Sequence, residues 1–185
     1  MVMEYRTVLV VSLQDLYRSV VGATCINDAL QTSGELGRVM AVPRGICGVC
    51  GTRYPEVSCL GEHEPGRWIS EAALAYIGTD IPRHRSMPVT GEDVERAALI
   101  LGVDRFCLYD SAFSPGIRFP EHRAKMRLFA ELTGTRECDV PECLESRDVD
   151  DHHEVCGFLH RVAHRYISTL IWWVDHPRVL HPPRI

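Results

Sequence analysis

Thr7-Val8-Leu9-Val10-Val11-Ser12 is an unbroken apolar run that feeds a short loop and then a helix-forming segment beginning Arg18-Ser19. An apolar run without alternation reads as a strand buried on both faces, the pattern of a parallel sheet covered by helices. The loop leaves the C-terminal end of that strand, where open α/β sheets bind ligands. Amides of a short loop entering a helix, with the helix dipole behind them, hold an anion. An arginine closing such a loop adds a bidentate clamp.

The rest of the chain continues the alternation. Residues 7–12 predict a strand and 18–32 a helix with Val21, Cys25 and Leu30 among its apolar positions. Residues 37–42 predict a second strand, and 67–77 a helix entered after Pro65-Gly66. A short helix over 93–96 precedes the strand 97–101, and 125–132 supplies a fourth strand. From Asp151 to about Val174 a long helix places Val155, Leu159, Val162, Tyr166 and Leu170 on one face. Strands alternating with helices predict an α/β fold, a three-layer α/β/α sandwich with a four-stranded parallel sheet. That domain is expected over 1–170, with 171–185 as a C-terminal extension.

A chain of 185 residues suits one domain. Its net charge of −5 gives no basic patch for nucleic acid or a membrane surface. No apolar run reaches the roughly 18–20 residues needed to span a bilayer, and the first residues lack a signal-peptide pattern, so a cytoplasmic location is expected. Lys125 is the only lysine among many arginines, which points to a GC-rich, actinobacterial-type genome. Eight cysteines without a secretion signal suit reduced thiols or metal ligands.

The spacing Ser12-x5-Arg18-Ser19 resembles the phosphate loop of the low-molecular-weight protein tyrosine phosphatases and the arsenate reductases related to them, a phosphotyrosine protein phosphatase I-like fold. The family carries Cys-x5-Arg-Ser, and its cysteine is the nucleophile. Serine stands there in this chain, so the resemblance is to a degenerate member. Neighbouring positions differ too: Asp15 replaces a usual asparagine, Tyr17 a frequent cysteine and Val20 a frequent proline. Over roughly residues 6–170 the likeness continues. Val49-Cys50-Gly51-Thr52 is similar to the family's Ser-Ala-Gly-Thr, and His84-Arg85-Ser86 to its histidine turn. Ala98 to Arg105 resembles its third strand, and Asp139-Val140-Pro141-Glu142-Cys143 its acid loop. In that register Glu142 takes the place of the proton-donating aspartate.

The resemblance implies an anion cradle of Ser12, Leu13, Gln14, Leu16, Tyr17, Arg18 and Ser19, with Ser12, Asp15, His84 and Glu142 as the groups able to do chemistry. Two readings of the loop stay open: Arg18 is free for an oxyanion, or Asp15 neutralises it. Ser12, His84 and Asp15 have the composition of a nucleophilic triad, but an un-ionised serine needs the base in contact with it. The alternative is an Asp15–His84 pair that only stiffens the loop. Cys47-x2-Cys50-x8-Cys59-x3-His63 has ligands for a tetrahedral zinc, or is a set of buried thiols. His153, Cys156, His160 and His164 share an arc of the last helix; an i, i+4 histidine pair can hold a metal, and a solvated polar face is the bland alternative. Trp172 and Trp173 cannot both face one groove, which leaves a homodimer contact through the tail, a lid, or wrapping on the same domain.

The function expected is a repurposed phosphatase-like protein without phosphocysteine chemistry. It uses the loop cleft for another ligand, small-molecule or phosphorylated, or for a new acid/base reaction, possible in specialised metabolism. The alternatives are a pseudophosphatase that binds a phosphoprotein or partner, and a weak serine- or acid/base-dependent hydrolase.

Overall fold

Four strands form one parallel sheet in the order β2-β1-β3-β4: β1 (Arg6–Ser12), β2 (Val39–Gly45), β3 (Ala97–Gly102) and β4 (Met126–Leu128). The structure is a computed structural model and describes residues 5–48, 59–62, 67–80, 83–135 and 138–177. The helices in chain order are α1 (Arg18–Ser33), α2 (Arg67–Tyr76), α3 (Gly91–Arg96), α4 (Pro115–Arg118), α5 (Val149–Arg165) and α6 (Ile167–Asp175). The two-residue period of β1 sends Val8 and Val10 to one face and Leu9 and Val11 to the other, all buried. The first face packs on α1, α2, α5 and α6 through residues such as Val21, Leu30, Leu74, Leu159 and Leu170. The second face is covered by α3 and a π-helical turn, Phe106–Asp110, through Val94 and Leu108. Helices on both faces explain why β1 and β3 read as unbroken apolar runs.

α1 stops at Gly34, whose left-handed φ of 78° places its N–H on the Gln31 carbonyl, while Glu35 N–H reaches Leu30. Gly102 admits the π-helical turn against β3. A Cβ there would lie 2.5 Å from Leu108 Cβ. Gly102→Ala is expected to cost about 1–3 kcal/mol by overpacking, measurable as a lower denaturant midpoint with an unchanged slope.

Several boundaries differ from the sequence reading. β2 starts at Val39 and runs through Pro43 to Gly45, because it is an edge strand where a missing N–H is tolerated. β4 is only three residues long; Phe129–Thr133 turns into a 3-10 helix in which Glu131 accepts from Leu128 N–H. α3 begins earlier, at Gly91, under a Thr90–Asp93 capping box. The single helix expected over 151–174 is two helices broken at Tyr166, with Asp148 capping the first. α6 crosses the expected limit at residue 170: Trp173 and Val174 are buried in the first core, and Trp172 stacks on His176 at 4.8 Å. No helix among the described residues is long and apolar enough to cross a membrane.

Candidate functional site

The chain leaves β1 toward β2 on one side and returns to β3 on the other, so the sheet's switch point lies between β1 and β3. The loop after Ser12 opens there, beside Asp104 at the end of β3. A pocket of about 140 Å³ fills the opening, lined by Ser12, Leu13, Gln14, Leu16, Tyr17, Arg18, Glu142, Leu144 and Glu145.

Asp15 holds the loop in shape from behind. Its φ of +57° is left-handed, a conformation that aspartate tolerates better than most residues. Its carboxylate is fully buried. Oδ1 accepts from Ser19 Oγ at 3.0 Å, and Oδ2 accepts from Met87 N–H at 2.9 Å and lies 2.6 Å from His84 Nε2. Ser86 Oγ adds a bond to the Gln14 carbonyl. Gly45 makes the approach possible, since a Cβ there would sit 3.0 Å from Asp15 Cβ. Ser12 belongs to the same circuit. Asp15 N–H donates to Ser12 Oγ, Ser12 donates to Ser19 at 2.8 Å, and Ser19 donates to Asp15.

Arg18 stands on the pocket side. Nη1 donates to Asp104 Oδ2 and to the Val140 carbonyl, each at 2.8 Å, and Nη2 donates to Glu142 Oε2 at 2.5 Å. The other Glu142 oxygen accepts from Cys143 and Leu144 N–H. Both carboxylates thus share one guanidinium, but they differ in freedom: the Asp104 side chain is 13% exposed and that of Glu142 is 51% exposed. Asp104 is also tied to Cys107 N–H.

The backbone N–H groups of Leu13, Gln14, Leu16 and Tyr17 have no acceptor among the described residues. α1 has no side-chain N-cap and no acidic residue in its first turn, so its leading N–H groups also face outward uncompensated. Leu16 and Tyr17 are buried, and buried N–H groups are nearly always paired. Unpaired amides at the head of a helix are the kind of donor that anion sites use in general. Among the described residues, the buried thiols beside the cleft are poor nucleophiles. Burial pushes the Cys107 and Cys143 thiols up, and pushes Cys156 up to about 11 despite its 3.0 Å contact with Tyr17 Oη.

Of the chemistry-bearing residues expected from sequence, Ser12 and Glu142 face the pocket, while Asp15 and His84 lie behind the loop. His84, expected among the groups able to do chemistry at the cleft, is placed behind the loop instead. His84 meets Asp15 and not Ser12, so the Ser–His–Asp composition does not form a triad. The expected choice between a free Arg18 and an Arg18–Asp15 pair is corrected too: Arg18 is paired, with Asp104 and Glu142. Asp104 was missed by sequence reasoning; its place just after β3, at the switch point, is the signal that could have found it. Of the zinc candidates, Cys50 and His63 lie outside the described residues, as does the Val49–Thr52 motif; Cys47 is half-buried and its thiol is pushed up by burial. The histidine arc of α5 is not simply a solvated face. Cys156 is buried against Tyr17, and His153 lies against the Tyr76 ring at 4.9 Å.

No protein-family model matches the chain, and no curated protein does. Solved structures do. A YwlE mutant from Bacillus subtilis is 18% identical over 91% of this chain and 99% of its own, with a TM-score of 0.65. A protein tyrosine phosphatase from Entamoeba histolytica is 15% identical over 94% and 99%, with a TM-score of 0.68. A cysteine-to-serine mutant of YwlE arginine phosphatase, with a phosphorylated active-site serine, is 18% identical over 90% and 95%, at 0.65. The chain therefore has the fold of the low-molecular-weight protein tyrosine phosphatases.

Proposed function

We propose that this protein has left phosphocysteine chemistry and uses the phosphate-loop cleft to bind the oxyanionic head group of a small-molecule or phosphorylated ligand. The unpartnered amides of Leu13, Gln14, Leu16 and Tyr17, gathered at the N-terminus of α1, carry this reading. Arg18 is the remaining donor, and Glu142 covers it. Like charges 4 Å apart repel by about 4 kcal/mol at an effective dielectric constant of 20, so a dianion enters only as Glu142 leaves. Glu142 is the carboxylate exposed enough to swing away; Asp104 stays to orient Arg18. The acid-loop residue thus acts as a tethered competitor for the ligand.

The test is calorimetric titration with inorganic phosphate and sulfate. The unmodified protein is expected to bind weakly. Glu142→Gln removes the competing charge and is expected to bind at least about tenfold tighter, a gain of roughly 1.4 kcal/mol. Absence of binding to both proteins rejects the oxyanion reading.

A second reading has its own observation. The Ser12 proton is directed through Ser19 to the Asp15 carboxylate, and the YwlE arginine phosphatase mutant carries a phosphorylated active-site serine. Ser12 Oγ would then attack the phosphorus of an aryl phosphate, its proton passing through Ser19 to Asp15 as the P–O bond to the departing phenolate breaks, and would keep the phosphoryl group. Incubation with an aryl phosphate followed by intact-mass analysis separates the readings, since simple binding adds no covalent phosphoryl group.

A further inference from the structure

We propose that Asp28, His160 and His164 form a divalent-metal site, suited to zinc, that clamps α1 to α5 on the surface away from the cleft. His160 and His164 are one turn apart on α5, with ring centroids 4.3 Å apart and planes tilted by 39°. Asp28 reaches them from α1. One ligand atom from each of the three lies within 4.8 Å of the other two. Two imidazole nitrogens and a carboxylate oxygen are a recurrent set for zinc with a fourth position left to water.

The contact between Asp28 and His164 is the second observation. Asp28 Oδ2 lies 3.0 Å from His164 Nε2. Yet Nε2 is shielded from solvent and has no hydrogen-bond partner, because the carboxylate oxygen is not where an N–H would point. A shielded ring nitrogen left without a hydrogen bond is unfavourable. A metal ion between the nitrogen and the carboxylate satisfies both. The i, i+4 histidines are visible in the sequence; Asp28 is supplied by the packing of α1 on α5.

The decisive experiment adds zinc to metal-free protein in a Cys47→Ser/Cys50→Ser/Cys59→Ser/Cys138→Ser background, which removes the thiols of the other candidate set and the exposed Cys138. One equivalent is expected to bind. At a hundredfold excess over Kd it should raise the melting temperature by roughly 5–10 °C. His160→Ala, His164→Ala and Asp28→Asn should each weaken binding at least tenfold, and His153→Ala, on the same helix but outside the set, should not. All four positions are exposed or half-buried, so the variants are expected to keep the fold, checked by circular dichroism. Copper-loaded protein read by electron paramagnetic resonance reports the ligands without reference to stability: nitrogen coupling is expected in the parent and lost in His160→Ala/His164→Ala. No zinc binding by the parent, or binding unchanged in that double variant, overturns the site.

Discussion

Aryl-phosphate hydrolysis by the unmodified protein is expected to run at the uncatalysed background. Attack on phosphorus by this loop needs a nucleophile ionised near neutral pH. Ser12 carries a hydroxyl whose proton is donated to Ser19, and His84, an imidazole of the same network, touches Asp15. Neither contact gives Ser12 a base in hydrogen-bond reach that is also free to take its proton and release it in turnover. The buried cysteines around the cleft are held as thiols by desolvation. Ser12→Cys would place a thiol at the head of α1, where a lowered pKa is the rule, but turnover is still expected to stay within about tenfold of background. Arg18 is already held by Asp104 and Glu142. The two Glu142 oxygens face N–H donors, an arrangement for accepting protons' hydrogen bonds and not for protonating a leaving group. Losing a general acid alone removes about 10²–10⁴ in rate. Optical measurement of phenol release from both proteins checks this, and robust turnover by the unmodified chain would end the proposal that phosphatase chemistry has been lost.

What the sequence disclosed follows the range over which each feature is determined. The β1–loop–α1 unit was legible because its signals are local: an apolar run, a short loop, then Arg18-Ser19 and helical spacing. The parallel sheet and the two-faced core followed from alternation; the strand order came only with the structure. The passage of β2 through Pro43 was not legible, because only the sheet order tells that the strand is at an edge. Nor was the break at Tyr166, which no glycine or proline marks. At the site, the Asp15–His84 contact came from the family resemblance and is present at 2.6 Å. The partner of Arg18 was hidden because Asp104 is 86 residues away and meets it only through the β1–β3 register. Asp28 was hidden from the α5 histidines for the same reason. Pairings between elements are set by packing, and one sequence carries little record of them.

Asp15→Ala is expected to destabilise the fold by about 3–5 kcal/mol, the range for breaking a buried, hydrogen-bonded charge network. Asp15 is the point where three segments meet: the loop itself, α1 through Ser19, and the 84–87 stretch through His84 and Met87 N–H. Alanine removes both acceptor oxygens and leaves the Ser19 O–H and the Met87 N–H without acceptors in a site with no solvent access at Asp15. It also gives up the tolerance for φ of +57° that aspartate and asparagine share. With roughly 2–4 °C per kcal/mol for a domain of this size, the melting temperature should fall by about 6–20 °C. Asp15→Asn keeps the left-handed backbone and one carbonyl acceptor, and loses the charge beside His84; its expected cost is smaller, about 1–3 kcal/mol. The ordering of the two variants tests the assignment. If alanine and asparagine cost the same, the carboxylate's second oxygen contributes little and the loop is held by other contacts. If both lie within 0.5 kcal/mol of the parent, about the scatter of ordinary surface substitutions, Asp15 does not anchor the cradle. In that case the loop amides owe their orientation to the packing of Gly45 and α1 alone.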